Sequence, residues 1–413
     1  MDITEYNLSA INGNNMIDSF KSNDFGALKL IHKQWMLNDK VYNIIKYDKS
    51  VLSSDLINSV GLLRSVIYSN NKINVFSPPK CLNATIFIDD YIESECHAEE
   101  FVEGTMINVF YDRDIGKWEI ASKTSVGGKV TYFKEQPTFS ELFYEICEEL
   151  NINLDNLWKE YSYSFVMLHP KNKFVLPLVM KKLYLIAVYK IDNDTYKVGE
   201  INRDDHILEL ENMGNIQLPM KYELSSYSEL IDTYASMNAN VNIMGAIIRH
   251  KDGVRTKVRN PNYDYVKFLR GNSTKLQYQY LCLRKIDQVK GNLKFFPDNK
   301  AQFAVFRTQI HIFTDNLYTN YIKCYIKKEK PILEFPKQFR VHMYNLHQHY
   351  LSIRENRGYI NRQVVINYIN SLESAKLMYS LNYHMRNLIP TDVDNLDNTD
   401  NLDNTETNDM IDN

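Results

Sequence analysis

The sequence is poor in the residues that announce common chemistries. Its five cysteines, Cys81, Cys96, Cys147, Cys282 and Cys324, are scattered over 413 residues without a CxxC pair. That argues against a disulfide framework and predicts a reducing, cytosol-like compartment with no disulfide-linked partner. Glycine occurs only 14 times, and no Gly-rich phosphate loop and no GKS or GKT triplet is formed from it. No apolar run reaches the roughly 18 to 20 residues of a membrane span. The opening MDITEYNLSA lacks the basic and apolar regions of a signal peptide, so no membrane association is expected. No histidine stands four residues from another, and in the stretch with His342 a two-residue spacing puts His347 and His349 on different helix faces; no metal site is expected.

What is present is charge, unevenly spread. The net charge is −3, but the last 24 residues hold eight acids and no base, which leaves 43 acids against 48 bases in the body. From residue 249 to 290 there are eleven Lys or Arg against three Asp. A basic stripe of this kind is a footprint for a polyanion.

The periodicity divides the chain into four parts. Residues 1–54 read as an N-terminal helical and loop segment. Residues 55–262 alternate short apolar runs with turns: LLRSVIYS and KINVFS flank Asn70-Asn71, FVEGTMINVFYD and KWEIASKT flank DRDIG, and Asp252-Gly253 joins two more strands. FVLPLV is read as a further strand within this part. Thr138 with Glu141 and Ser226 with Glu229 are capping boxes opening helices. Residues 263–389 carry helical patterns from KLQYQYLCLRK to SLESAKLMYSL, and 390–413 form an acidic tail expected to be disordered.

Three stretches hold candidate chemistry. EEFVEGTMINVFYD places Glu103-Gly104 inside an apolar run, where a carboxylate is costly unless paired and a glycine marks the close approach of a backbone or ligand. Arg64 lies between Leu63 and Val66 and needs a partner. Beyond Asp252-Gly253, a period of two puts Arg255, Lys257 and Arg259 on one strand face, a match for phosphate or simply an edge strand facing solvent.

The order of these pieces resembles the adenylyltransferase domain of ATP-dependent RNA ligases, closest to the phage RNA ligase 1-like enzymes and their divergent relatives in large DNA viruses. The likeness covers about residues 60 to 260 and rests on Arg64, PPKCL with Lys80, FVEG, ASKTS with Lys123, HPKN, MGAI and Lys257-Val-Arg259. It implies an α+β fold, a nucleotidyltransferase antiparallel-sheet core followed by an all-helical C-terminal domain. In that family a lysine in Lys-x-Asp-Gly attacks the α-phosphate of ATP with Mg as cofactor. Here Phe101 stands in the lysine's place, and Val166 and Met244 replace two carboxylates.

The resemblance therefore assigns nucleotide or phosphate contacts to Arg64, Lys80, Glu103, Gly104, Lys123, Lys257 and Arg259, and no confident catalytic residue. Arg249, Lys251, Arg255, Arg270 and Lys275 join them as candidate nucleic-acid contacts. The expected function is a catalytically degenerate RNA-ligase-like protein that binds RNA or another phosphate-bearing ligand, with ATP and Mg as cofactors only if activity survives. One alternative is an active ligase or nucleotidyltransferase with Lys80 or Lys123 as a displaced nucleophile. The other is a viral interaction protein on a ligase-like scaffold, in host cytoplasm or virion.

Overall fold

The computed structural model describes residues 4–131, 137–172, 175, 180–210, 215–273 and 275–386. It forms two compact units, divided between Tyr265 and Val266. The acidic tail and the FVLPLV run lie outside the described residues, apart from Val175 of the latter.

The helix and loop expected over residues 1–54 give way largely to strand. Strand β1 (Thr4–Asn7) is followed by a two-residue hairpin, β2 (Ala10–Ile11) and β3 (Asn14–Asn15), and by helix α1 (Met16–Ser22), capped by Asn15. Then come two eight-residue strands, β4 (Leu30–Leu37) and β5 (Lys40–Tyr47). Asn38 and Asp39 between them both have positive φ, the backbone of a tight hairpin turn that Asn and Asp tolerate. The turn signal is therefore in the sequence, but the strands beside it alternate poorly, because β4 exposes residues on both faces.

Further along, β6 (Val66–Ser69) and β7 (Lys72–Phe76) flank Asn70 and Asn71, also at positive φ. Helix α2 (Ala84–Asp90) leads to β8 (Cys96–Glu100), and β9 (Thr105–Asp112) and β10 (Lys117–Ala121) form the next hairpin. Helix α3 (Phe139–Glu149) opens on the complete Thr138/Glu141 capping box. The first unit continues with β11 (Tyr161–Leu168), β12 (Lys182–Asp192), β13 (Lys197–Ile201), α4 (Arg203–Glu209), β14 (Lys221–Tyr222) and α5 (Tyr227–Tyr234), whose cap is Ser226. Strands β15 (Gly245–His250) and β16 (Arg255–Arg259) complete it.

The strands pair antiparallel throughout the named sheets. A six-stranded sheet runs β1-β13-β12-β11-β9-β10, a four-stranded sheet β14-β8-β15-β16, and another four-stranded sheet β4-β5-β6-β7. Helix α3 buries Phe139, Leu142, Phe143 and Ile146 against Ile107, Val109, Phe165 and Leu185 of the six-stranded sheet. Side chains of β1, α1, β5, β7 and β12, among them Tyr6, Phe20, Ile45, Phe76 and Tyr189, make a second core. The third packs α2 and α5 onto β8, β15 and β16 through Phe87, Tyr227 and Leu230.

The segment FVEG does not belong to a strand. Phe101 to Gly104 link β8 of one sheet to β9 of another. Gly104 has φ +152, and a Cβ there would strike the Val166 side chain and lie 2.8 Å from the Met167 carbonyl oxygen. The glycine marks the close approach of the β11 backbone. Gly245, at φ +137, faces the same limit at the start of β15, where a Cβ would overlap the Val258 carbonyl of β16. Gly245→Ala is expected to lower stability by about 1–3 kcal/mol through backbone strain alone, measured by urea denaturation. An unchanged midpoint would mean that the two strands separate at no cost.

Helix α6 (Pro261–Arg270) contains the division between units. The second unit continues with α7 (Leu276–Lys285), α8 (Val289–Phe295), α9 (Lys300–Tyr321), α10 (Lys337–Ile353), α11 (Arg362–Ser371), α12 (Ser374–Leu381) and α13 (Tyr383–Arg386). Leu281, Phe303, Phe313, Leu317, Met343 and Val365 share a core in it. The fold is thus α+β: antiparallel sheets, then a helical C-terminal unit with no strand among its described residues.

Candidate functional site

Five cations from separate stretches of the sequence, Lys49 among them, meet in the first unit. Arg64, Lys80, Lys123 and Lys257 line one cleft together with Tyr47, Lys49 and Cys81. Among the described residues that line it, none is acidic. Each cation is delivered by its own element. Tyr47 ends β5 and Lys49 follows it. Arg64 precedes β6, and Lys80 follows β7. Lys123 lies just past β10, and Lys257 sits within β16.

Local hydrogen bonds hold these positions. The Lys80 amide donates to the Gly61 carbonyl at 3.0 Å, and the Leu82 amide donates to the Arg255 carbonyl at 2.8 Å. Thr256 Oγ1 donates to the Leu82 carbonyl at 2.8 Å. The PPKCL turn is therefore tied to β16, which carries Lys257. Ser65 Oγ donates to the Lys123 carbonyl at 3.0 Å, tying the residue after Arg64 to the third lysine. Lys123 Nζ lies over the Tyr47 ring at 5.6 Å from its centroid. Arg64 is buried, with Nη1 reaching the Pro78 carbonyl at 3.5 Å.

Cys81 records the field in the cleft. Burial pushes its thiol up, but Arg255, Lys257, Arg64 and Lys80 outweigh it and hold the thiol below its ordinary value. A site that stabilises a thiolate in this way stabilises other anions by the same Coulomb interaction.

Phe101, which the resemblance aligns with the ligases' lysine, is a capped ring. Phe101 is buried, and Lys257 Nζ and the Arg259 guanidinium both sit 5.5 Å from its centroid. These are cation–π distances, so the ring face attracts both cations. Val166 is buried with Val102, Leu168, Tyr184 and Ile186 in an apolar cluster, and Met244 is buried at the entry to β15. Phe101, Val166 and Met244 are not among the residues lining the cleft. Neither Val166 nor Met244 offers an oxygen, and among the described residues no three His, Cys, Asp or Glu are grouped to hold a metal ion.

Several expected contacts are placed elsewhere. Arg249 is buried, with Nε donating to Glu99 Oε1 at 2.9 Å and Nη1 to Glu200 Oε1 at 3.1 Å. Arg255 is buried too and donates to the Pro79 carbonyl, with Nε at 3.0 Å. These two are corrected from nucleic-acid contacts to internal supports, because a guanidinium on a strand between packed layers satisfies itself inside the protein. Lys251 is exposed and pairs with Glu95, whose carboxylate pushes its ammonium up. Arg259 pairs with Asp264 at 3.2 Å. The carboxylate of Glu103 is buried and accepts from the Val175 amide at 2.6 Å. Arg270 and Lys275 belong to the second unit, Arg270 donating to the Gly271 carbonyl and Lys275 exposed just ahead of α7.

Tyr47, Lys49 and Cys81 were not foreseen in the cleft. The signal for the first two lay in the Asn38-Asp39 turn, because a strand at 40–47 paired with β6 carries KYDKS beside Arg64.

No family profile matches the chain. A curated relative is the immediate-early protein ICP-46 homolog of Invertebrate iridescent virus 3, 23% identical over 251 residues, which are 58% of this chain and 51% of the relative. The chain spans about half the length of that relative. Among solved structures it is similar to an archaeal ATP-dependent RNA ligase in two forms. Form 1 is 12% identical with TM-score 0.36, covering 68% of this chain and 72% of the other. Form 2 is 11% identical with TM-score 0.39, covering 66% and 71%. A point mutant of a Naegleria gruberi RNA ligase with ATP and Mn is 12% identical with TM-score 0.33, covering 59% and 82%. Likeness at these scores carries no weight for what this chain does. No helix among the described residues is long and apolar enough to cross a membrane.

Proposed function

We propose that this chain is an RNA-ligase-like protein of the nucleotidyltransferase superfamily that binds a phosphate-bearing ligand, RNA foremost, without forming a covalent nucleotide intermediate. The observation that carries this reading is the convergence of Arg64, Lys80, Lys123 and Lys257 on one cleft. The family resemblance assigns phosphate contacts to those same four residues. Guanidinium forks and ammonium point charges are the usual protein partners of phosphate. The loss of chemistry rests on Phe101, which has no nucleophilic atom, and on Val166 and Met244, which cannot serve a metal.

The protein incubated with α-labelled ATP and Mg should give no adduct that survives denaturation. An adduct abolished by Lys80→Ala or Lys123→Ala would replace this reading with that of an active enzyme using a displaced nucleophile, since both lysines line the cleft. Affinity for single-stranded RNA should fall with salt at about 0.7 log units per log unit of salt for each phosphate neutralised. A flat salt response would rule out contact with the backbone.

A further inference from the structure

Among the described residues strand β4 is an edge, with β5 on one side and no strand on the other. It lies at the end of its sheet and pairs only with β5, from Leu30↔Tyr47 to Leu37↔Lys40. Among the described residues no other backbone hydrogen bond reaches residues 30–37. Along it Ile31 is 40% exposed and Met36 72%, with Lys33 and Gln34 exposed between them. Eight residues of open edge with apolar side chains form a template for another strand, and proteins usually shorten, bend or cover such an edge.

We propose that β4 pairs antiparallel with β4 of a second copy of this chain, joining two four-stranded sheets across a twofold axis. Symmetry narrows the register. Antiparallel copies related by a twofold axis keep the same face of each sheet on the same side, so opposed residues must share a parity and the axis must pass through one residue number. Centred on Lys33, the pairing sets that ammonium against itself, which is destabilising. Centred on Trp35, it leaves residues 31 and 32 of β4 without partners in the opposite strand and sets Lys33 against Leu37.

Centred on Gln34, every residue from 31 to 37 is paired. Gln34 meets Gln34, Lys33 meets Trp35, His32 meets Met36, and Ile31 meets Leu37. Lys33 already lies over Trp35 within its own strand, 5.2 Å from the ring centroid, so the register repeats across the axis a contact the side chains make at home. Leu37 is a buried member of the apolar cluster around Tyr42 and Ile67, and Ile31 of the second copy extends that cluster. No like charges face each other, and the exposed Ile31 and Met36 are both covered.

The test uses the full chain. Light scattering in reducing buffer at tens of micromolar should give twice the mass of one chain. Ile31→Lys combined with Met36→Lys, both at exposed positions, should halve that mass while leaving the circular dichroism spectrum of the wild type unchanged. Mild oxidation of a Gln34→Cys variant should yield a disulfide-linked dimer, because residues facing each other across the axis come within the roughly 4.4–6.8 Å between Cα atoms that a disulfide spans. Lys33→Cys should not crosslink, since its copies stand about 7–8 Å apart on the diagonal. The unsubstituted chain, with its five native thiols, is the baseline. A wild-type monomer, a dimer that survives the double substitution, or equal crosslinking at residues 33 and 34 would each overturn the proposal. A monomer would leave this edge to a strand from some other protein.

Discussion

Glu99→Gln is expected to cost the first unit about 3–5 kcal/mol, the penalty for removing the buried carboxylate that Arg249 and Arg203 share, Arg249 keeping Glu200. Glu99 is 2% exposed on β8 and holds Arg249 through Oε1 and Arg203 through Oε2. Burial pushes its carboxyl up, but Arg249 and Arg203 outweigh that and bring it down to about 2 from the ordinary 4.5. A carboxyl lowered by folding stabilises the folded state in full above its unfolded value and stops doing so as pH falls through the folded value. The gap between wild type and Glu99→Gln in urea should therefore be widest above about pH 4.5 and close toward pH 2. A gap under about 1 kcal/mol at neutral pH would mean that water reaches the network, as at an exposed pair.

Reversing Lys123 and Lys257 together to Glu should weaken binding of a triphosphate or of 5′-phosphorylated RNA by roughly 100- to 10,000-fold. Each charge-assisted hydrogen bond contributes about 1.5–3 kcal/mol, and two of them span that range. Both side chains line the cleft and neither is fully buried, so circular dichroism should show an intact fold. The loss should be nearly the same for RNAs of different sequence, because phosphate contacts position a ligand without reading bases. Isothermal calorimetry showing unchanged affinity would remove the cleft as the binding site.

Much of the architecture was legible because its signals are local. Asn70-Asn71, Asp252-Gly253 and the Thr138/Glu141 box fix turns and a helix start from a few residues each. The hairpin of β4 and β5 was missed because β4, an edge strand, shows no clean alternation of apolar and polar positions. The candidate site was legible only in part, and for a related reason. Period two correctly aligned Arg255, Lys257 and Arg259 along β16, but which of them reaches solvent depends on what packs above. Arg255 is taken by Pro79, Arg259 lies against Phe101 and Asp264, and Lys257 alone of the three enters the cleft. Arg249 illustrates the same limit, since its partners Glu99 and Glu200 are 150 and 49 residues away. Nothing local distinguishes such a cation from one that faces a ligand.

The pairing of β1 with β13, Thr4 opposite Glu200, bears on how the chain is made. Once made, β1 finds its partner only after some two hundred residues have followed, which at about 5–20 residues per second takes roughly 10–40 s. Likewise β8 waits for β15, whose Ala246 pairs with Glu100. During synthesis β1 is therefore an orphan for most of the first unit's length, and a fusion or truncation placed there disturbs a sheet edge that closes late.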